Sequence, residues 1–175
     1  MPRSIWYCLV ALVALIVGAA LIFRFWPHEP LIATSRADFI LVEKSERTLS
    51  LLKNGKVIGS YRVALGRNPQ DHKIQEGDGR TPEGRYRIDS RNAASAFYRA
   101  LHISYPNALD RERAKKNGVS PGGDIMIHGM KNGLGWIGRL HRFVDWTNGC
   151  IAVTNQEMRE IWDAVPDNTA IEIRP

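Results

Sequence analysis

Residues 145–153 of this chain have the sequence DWTNGCIAV, and this stretch holds Cys150, one of only two cysteines in the protein. The other cysteine, Cys8, lies in a hydrophobic N-terminal segment and is interpreted as an apolar filler. Structural cysteines of exported domains normally occur in disulfide pairs. In an exported domain an unpaired Cys150 is therefore either incidental or a reactive thiol. Gly149, which lets the backbone approach a substrate closely, favours the reactive thiol.

A histidine upstream supplies the base that such a thiol needs. Residues 124–129 are DIMIHG, so that His128 ends an apolar strand and Gly129 follows it. An imidazole near a thiol can take its proton and lower its pKa. The backbone N–H groups of Asn148 and Gly149 could then stabilise the oxyanion of an attacked carbonyl. A buried apolar cysteine and a structural histidine are the alternative interpretations, and the order of His before Cys argues against papain-type peptidases.

The N-terminus predicts a membrane segment over residues 1–26. Ile5 to Phe23 is a run of 19 uncharged residues, which as a helix would span about 28 Å, close to the thickness of a bilayer core. Arg3 before the run favours a cytoplasmic N-terminus. The small residues at 17–20 lie inside the run, which favours an uncleaved anchor over a cleaved signal or a buried core helix.

The remaining chain suits one compact domain. Residues 27–38 are polar and contain proline, and they predict a linker to a domain over residues 39–175. The formal net charge is +6, of which Arg3 and Arg24 belong to the first 26 residues, so the exported part carries about +4. This charge suits an anionic wall or lipid surface. Because no basic run alternates with aromatic residues, a nucleic-acid partner is not expected.

Short extended runs separated by turns predict a mostly β fold with one or two short helices. Asn54-Gly55 between two such runs indicates a β-hairpin. The sequence TNQE at 154–157 is typical of a capping box at the start of a helix. Strands are predicted in the ranges 39–42, 47–52, 56–65, 85–89, 100–104, 124–128 and 170–173, and helices over 107–117 and after Thr154.

Three motifs in this order resemble the L,D-transpeptidase catalytic domain family of the YkuD type. They are Thr81-Pro82-Glu83-Gly84 with the strand that follows, Ile127-His128-Gly129, and Thr147-Asn148-Gly149-Cys150. The whole run 145–153 is most similar to the YafK-like branch of the family, and the resemblance covers about residues 39–175. It implies a β-sandwich-like catalytic fold.

The resemblance also implies a chemistry. Cys150 would be the nucleophile, His128 its base, and the Gly129 carbonyl would orient the imidazole. The substrate would be a peptidoglycan stem peptide, attacked at the carbonyl of an L-centre to form a thioester that an amine or water resolves. The resemblance implies a protein without a cofactor that acts in the periplasm. With the N-terminal apolar run, it predicts a place on the periplasmic face of the inner membrane, or free in the periplasm if that segment is cleaved.

Two positions depart from the family pattern. Asn148 stands where many members have a histidine, and Ala152 replaces a frequent arginine that could anchor a substrate carboxylate. Both departures fit the YafK-like branch, in which hydrolysis of the bond between a stem peptide and an attached lipoprotein is an alternative to transpeptidation. A catalytically inactive wall-binding module is the alternative outside enzymes.

Basic residues near the motifs are candidate contacts for the substrate. They are Arg80, Arg139, Arg142 and His141. Guanidinium groups can clamp carboxylates of a stem peptide, although a solvated surface charge is the simpler interpretation of any single one. No spacing typical of a zinc site links the histidines with Cys150, so no metal is expected.

Overall fold

A computed structural model of the protein describes residues 3–25 and 35–175. After the N-terminal helix α1 (Arg3–Phe25) come eight strands, two further α-helices and a 3₁₀ segment (Gly135–Phe143). The strands are β1 (Phe39–Glu43), β2 (Thr48–Lys53), β3 (Lys56–Arg62), β4 (Gly84–Asn92), β5 (Ala100–Ile103), β6 (Met126–His128), β7 (Ile151–Ala152) and β8 (Ala170–Arg174). The helices are α2 (Ala108–Lys116) and α3 (Asn155–Ala164). The prediction of a mostly β fold with one or two short helices after the N-terminal segment is confirmed, since α2 and α3 are the α-helices described there.

The N-terminal prediction is only partly met. A helix forms at α1, but no helix of the described residues has the length and apolarity that crossing a membrane requires. The predicted transmembrane helix is therefore not found in this part of the chain. Residues 27–34 of the predicted linker lie outside the described residues.

One mixed sheet of eight strands replaces the expected sandwich-like arrangement. Its order is β3-β2-β1-β8-β4-β5-β6-β7. β4 joins the two halves, because its first part, residues 84–87, pairs with β8 and its later part, from Ile88 onwards, pairs with β5. The pairs β1–β8 and β6–β7 are parallel. A single long strand that changes partner thus joins the two halves into one sheet.

Local sequence explains the turns and helix ends. Asn54 and Gly55 have φ values of 51° and 74°, the positive values that a tight two-residue hairpin requires, and the predicted hairpin joins β2 to β3. Thr154 accepts a hydrogen bond from the Glu157 N–H, and Glu157 bonds back to the Thr154 N–H. The predicted capping box therefore begins α3.

Apolar and polar side chains alternate along the strands, and the core lies on the face of the sheet to which the apolar ones point. Ile40 and Val42 of β1 are 0% exposed, and Met158 and Ile161 of α3 belong to the same cluster. Burial of each such side chain stabilises the fold by about 1.5–3 kcal/mol. The shared core thereby holds α3 against the sheet to which β1 belongs.

The candidate functional residues of β6 and β7 lie on the face of the sheet opposite the core. Ile127 of β6 and Ile151 of β7 lie opposite each other and are buried in the core. Since side chains alternate along a strand, the residues next to them, His128 and Ala152, point to the other face. β7 has only two residues, too short a run to show an alternating pattern in the sequence, and it was not predicted.

Candidate active site

His128 stands at the end of β6 with one tautomer selected. Its Nδ1 lies 2.7 Å from the Gly129 carbonyl oxygen. A carbonyl accepts only from an N–H group, so that in the neutral ring Nδ1 carries the proton and Nε2 is left as an acceptor. Burial lowers the pKa of His128, and the hydrogen bond to Gly129 opposes this effect. The imidazole is therefore held neutral and oriented by its neighbour in the chain.

Small and aromatic side chains surround this imidazole. Ala100 of β5 and Ala152 of β7 lie directly beside His128 in the sheet. The ring of Phe97 lies 4.6 Å from it and that of Trp146 5.8 Å, measured between centroids. Ala152 is 0% exposed, so a charged side chain at this position would have to be desolvated. The alanine that departs from the family pattern is thus part of the packing around His128.

Cys150 lies on the same face of the sheet as His128. It precedes β7, and the register that pairs His128 with Ala152 places Cys150 two residues back, beside Met126. Alternation along the strand gives Cys150 and Ala152 the same orientation. The thiol is half-buried, and it donates to the Asp124 carbonyl oxygen over an Sγ–O distance of 3.4 Å.

The surroundings of the sulfur favour the protonated thiol. Burial is the main effect and raises the pKa of Cys150. The Met126 N–H, which hydrogen-bonds the sulfur, and the charge of Lys73 act in the opposite direction. Since the pKa of His128 is lowered and that of Cys150 is raised, burial favours the uncharged form of each group: the neutral imidazole and the thiol.

Thr147 fixes the turn that carries the thiol. Its hydroxyl donates to the Cys150 carbonyl over 2.7 Å and accepts from the Gly149 N–H over 3.1 Å. The Gly149 N–H, one of the two predicted oxyanion donors, is therefore engaged within the turn. The N–H groups of Asn148 and Cys150 have no acceptor among the hydrogen bonds of the described residues.

Asp145 connects the turn that carries Cys150 to Arg47 and Leu65 through hydrogen bonds. One carboxylate oxygen accepts from the Leu65 N–H at 2.9 Å, and the other accepts from Nε of Arg47 at 3.0 Å. Thr147 continues this connection, because its N–H donates to the Leu65 carbonyl and its carbonyl accepts from the Arg67 N–H. These anchors were not predicted, since the sequence shows no link between residues about 80 positions apart.

The absence of a side chain at Gly149 lets its backbone lie close to the Arg80 carbonyl. Its φ is +130°, and a Cβ built on it would lie 2.5 Å from the Arg80 carbonyl oxygen. We expect Gly149→Ala to destabilise the protein by at least about 2 kcal/mol, through backbone strain and this overlap. Urea unfolding would measure the change.

Gly118→Ala is the matched control for this substitution. Gly118 has a φ of +66° with open space around its Cβ position. Strain alone, about 1 kcal/mol, should apply there. Equal free energies of unfolding for the two variants would contradict the role of the close approach.

Asn155 holds the loop that follows His128. Its Oδ1 accepts from the Met130 N–H at 2.8 Å. Cβ atoms built on Gly129 and Gly135 would each lie 2.7 Å from the Asn155 amide. The first residue of α3 thus contacts both ends of the loop between His128 and the 3₁₀ segment, and it fixes the residue whose carbonyl orients the imidazole.

The four predicted substrate contacts have different surroundings. Arg142 pairs with the buried Glu157 carboxylate of α3. Arg80 donates to the His72 carbonyl at 3.3 Å and lies 3.7 Å from the Asp71 carboxylate. Arg139 is half-buried in the 3₁₀ segment. The guanidinium groups of Arg80 and Arg142 are thus already bound by groups of the protein.

His141, the fourth of these residues, is buried rather than exposed to a substrate. Its Nδ1 accepts from the Trp146 Nε1–H at 3.4 Å, and it is 6% exposed. Burial, together with the nearby charge of Arg142, lowers its pKa to about 4. The sequence could not show this burial, because it depends on how the 3₁₀ segment packs against Trp146.

The buried His141 predicts a loss of stability in acid. The unfolded chain takes up the proton near pH 6.5, whereas the folded protein does so only near pH 4. Since the unfolded state binds more protons in this window, the free energy of unfolding should fall by up to about 3 kcal/mol as the pH drops through it. His141→Gln should show a smaller fall in urea titrations at pH 7, 5.5 and 4. An equal fall in both proteins would contradict the assignment to His141.

No three or more His, Cys, Asp or Glu side chains of the described residues are grouped so that they could hold a metal ion. A neutral imidazole with a free Nε2, a thiol on the same face of the sheet and two unengaged N–H groups in the adjoining turn can support attack on a carbonyl.

Comparison with known proteins agrees with this geometry. The model of the YkuD family, the L,D-transpeptidase catalytic domain, matches residues 37–173. The chain belongs to the L,D-transpeptidase catalytic domain family. YafK of Escherichia coli (strain K12) is 31% identical over 133 residues, which make up 73% of this chain and 46% of YafK. YqjB of Bacillus subtilis (strain 168) is 27% identical over 136 residues, 77% of this chain and 70% of YqjB. YafK and YqjB are both named as L,D-transpeptidases.

Two solved structures share the fold of this L,D-transpeptidase domain. The helical cell shape determining protein Pgp2 from Campylobacter jejuni superimposes with a TM-score of 0.60 and 26% identity, over 80% of this chain and 48% of Pgp2. Bd1075 of Bdellovibrio bacteriovorus gives a TM-score of 0.54 and 25% identity, over 82% of this chain and 50% of Bd1075. The chain thus spans about half the length of YafK, Pgp2 and Bd1075.

Proposed function

We propose that the protein is a cysteine-dependent L,D-transpeptidase that modifies peptidoglycan stem peptides through a thioester on Cys150. The observation that carries this proposal is the placement of Cys150 and His128 on one face of the sheet, with Nδ1 of His128 bound to the Gly129 carbonyl. Family membership supports the peptide substrate. The similarity to Pgp2, a helical cell shape determining protein, supports a role in shaping the wall.

The first half of the proposed reaction acylates the enzyme. Nε2 of His128 takes the proton of the Cys150 thiol as the sulfur attacks the carbonyl carbon, and the carbonyl electrons move to the oxygen. The free N–H groups of Asn148 and Cys150 stabilise that oxyanion. The oxyanion collapses, the carbon–nitrogen bond breaks, and the departing amine takes the proton from His128. Because both groups start neutral, proton transfer accompanies the attack.

The second half regenerates the thiol. An incoming amine or water attacks the thioester carbonyl and gives a proton to Nε2 of His128. The carbon–sulfur bond then breaks, and the thiolate recovers its proton from the imidazolium. An amine acceptor gives a crosslink, whereas water gives a shortened peptide or releases a lipoprotein attached to the stem.

Analysis of muropeptide products tests the proposal. The full-length protein, purified in detergent, would be incubated with tetrapeptide muropeptides, and both products and protein analysed by mass spectrometry. We expect loss of the terminal residue and an acyl adduct on Cys150. Crosslinked products indicate transfer to an amine, and shortened products or released lipoprotein indicate hydrolysis. Bound but unchanged muropeptides without an adduct would contradict an enzyme and favour a wall-binding module.

We also infer that the catalytic domain faces the periplasm, held at the inner membrane by the N-terminal apolar run. The proposed substrate lies in that compartment. Since no helix of the described residues qualifies as a membrane span, the proposed anchoring rests on the absence of charge over residues 5–23 alone. Cell fractionation tests this: the full chain should remain in the membrane fraction after a carbonate wash, and a chain that lacks residues 1–26 should not. Full-length protein released by the wash would contradict anchoring.

A further inference from the structure

Arg67 lies beside the turn that carries Cys150, and it belongs to none of the motifs visible in the sequence. Its N–H donates to the Thr147 carbonyl at 3.0 Å. Its guanidinium Nη2 donates to the side-chain oxygen of Asn148. A Cβ built on Gly79 would lie 2.7 Å from Cγ of Arg67, so the glycine leaves room for the aliphatic stem. Arg67 is thereby held at both its backbone and its charged end.

The charge of Arg67 is not neutralised by the protein. The residue is exposed, and none of the ion pairs among the described residues includes it. Its basic neighbours differ, because Arg47 pairs with Asp145 and Arg80 lies near Asp71. The partner of Arg67 is a neutral amide, which orients the guanidinium without cancelling its charge. Arg67 therefore leaves a positive charge with unused donors at Asn148, in the turn that leads to Cys150.

The spacing suits a ligand bound at the sulfur. Asn148 and Cys150 are two residues apart, which places their Cα atoms at most about 7 Å from each other. In a peptide attacked by Cys150 one residue before its end, the terminal α-carboxylate lies one residue beyond the attacked carbonyl. A guanidinium binds a carboxylate through two parallel hydrogen bonds.

We propose that Arg67, held by Asn148, binds the free terminal carboxylate of the peptide that acylates Cys150. The substrate class is then a peptide that ends one residue after the attacked bond, as opposed to a chain that continues or is amidated. This inference rests on the proposed function for its acyl-transfer step. The carboxylate binding itself can be measured without turnover.

The test compares two ligands that differ only in the terminal group. A stem tetrapeptide with a free C-terminal carboxylate and the same peptide with a C-terminal amide would be titrated by calorimetry against the full chain carrying Cys150→Ala. We expect the acid to bind about 10- to 100-fold more tightly than the amide, the size of a charge-assisted hydrogen bond. Adding Arg67→Gln should remove this preference by weakening binding of the acid alone.

Two further variants make the result specific. Arg67→Lys keeps the charge but not the paired donors, so it should restore only part of the preference. Arg62→Gln removes an equally exposed arginine at the end of β3, and the preference should remain. In protein with Cys150 intact, kcat/KM for the two peptides should follow the same pattern.

Three results would overturn the inference: equal binding of acid and amide, a preference that survives Arg67→Gln, or a loss that affects both peptides equally. Failure of the proposed function gives a different result. Protein with Cys150 intact would then turn over neither peptide, while the binding preference and its dependence on Arg67 would still be measured in the Cys150→Ala background.

Discussion

Cys150→Ala should lower stem-peptide turnover by at least about 10³-fold, because no other group can then form the thioester. The fold should survive. The sulfur is half-buried, and the hydrogen bond that its S–H donates runs to the Asp124 carbonyl, so its removal should change the free energy of unfolding by about 1 kcal/mol. Product formation from tetrapeptide muropeptides measures the activity, and urea unfolding measures the stability.

Cys8→Ala is the matched control, since it makes the same chemical change at the other cysteine. Cys8 lies exposed on α1, outside the motifs that hold Cys150 and His128, and the variant should keep its activity. Intact-mass spectrometry after brief exposure to substrate should show an acyl adduct on wild-type protein and on Cys8→Ala, and none on Cys150→Ala. Turnover by Cys150→Ala within tenfold of wild type would remove Cys150 from the mechanism.

The proposed nucleophile and base could be selected from the sequence because each lies in a short motif whose chemistry is local. A glycine before Cys150 and another after His128 are visible in the sequence. The capping box and the Asn54-Gly55 hairpin were predictable for the same reason, since neighbouring residues determine both. What the sequence could not supply was the register of β6 and β7, which places the two groups on one face.

The substrate contacts were less predictable, because their environment depends on distant partners. Arg142 was a candidate clamp, but it pairs with Glu157, which α3 buries beneath it. Arg67 became a candidate only when the fold placed it beside Asn148, 81 positions along the chain. The charge of an arginine is visible in a sequence, whereas the carboxylate that neutralises it is not.

The protonation of the proposed pair, Cys150 and His128, also depends on distant residues that the motifs do not show. A cysteine near a histidine suggests an ion pair. Burial favours the uncharged form of both groups, and it outweighs the Met126 N–H and the charge of Lys73 that would stabilise the thiolate. Desolvation depends on the whole packed site, including the rings of Phe97 and Trp146. The resting state thus follows from tertiary packing that the motif does not encode.

His128→Gln should lower kcat/KM by about 10²- to 10⁴-fold, the usual contribution of a positioned base. The base must be neutral to accept a proton, so kcat/KM of the wild type should fall with decreasing pH as His128 becomes protonated. Because burial lowers the pKa of His128, the midpoint of this fall should lie below pH 6.5, the usual value for a histidine. The residual activity of His128→Gln should lack this acid limb.

Alkylation by iodoacetamide separates a neutral pair from an ion pair. With the pKa of Cys150 raised, the wild-type thiol should react slowly at pH 7, and its rate should increase with pH to a midpoint above about 8.5. A thiolate–imidazolium pair would instead react at a high, constant rate across neutral pH and lose that rate in His128→Gln. Such a plateau would contradict the neutral resting state.

His102 provides the control for the His128→Gln variant, because it is a second imidazole on the same face of the sheet as His128. It lies opposite Met126 in the β5–β6 pairing, and its Nδ1 is 2.6 Å from the Asp89 carboxylate. If His128 is the base, His102→Gln should keep the acid limb of the pH profile that His128→Gln loses. The reverse result would assign the proton transfer to His102 and its carboxylate, and the Gly129 carbonyl would then orient a ring that takes no part in the reaction.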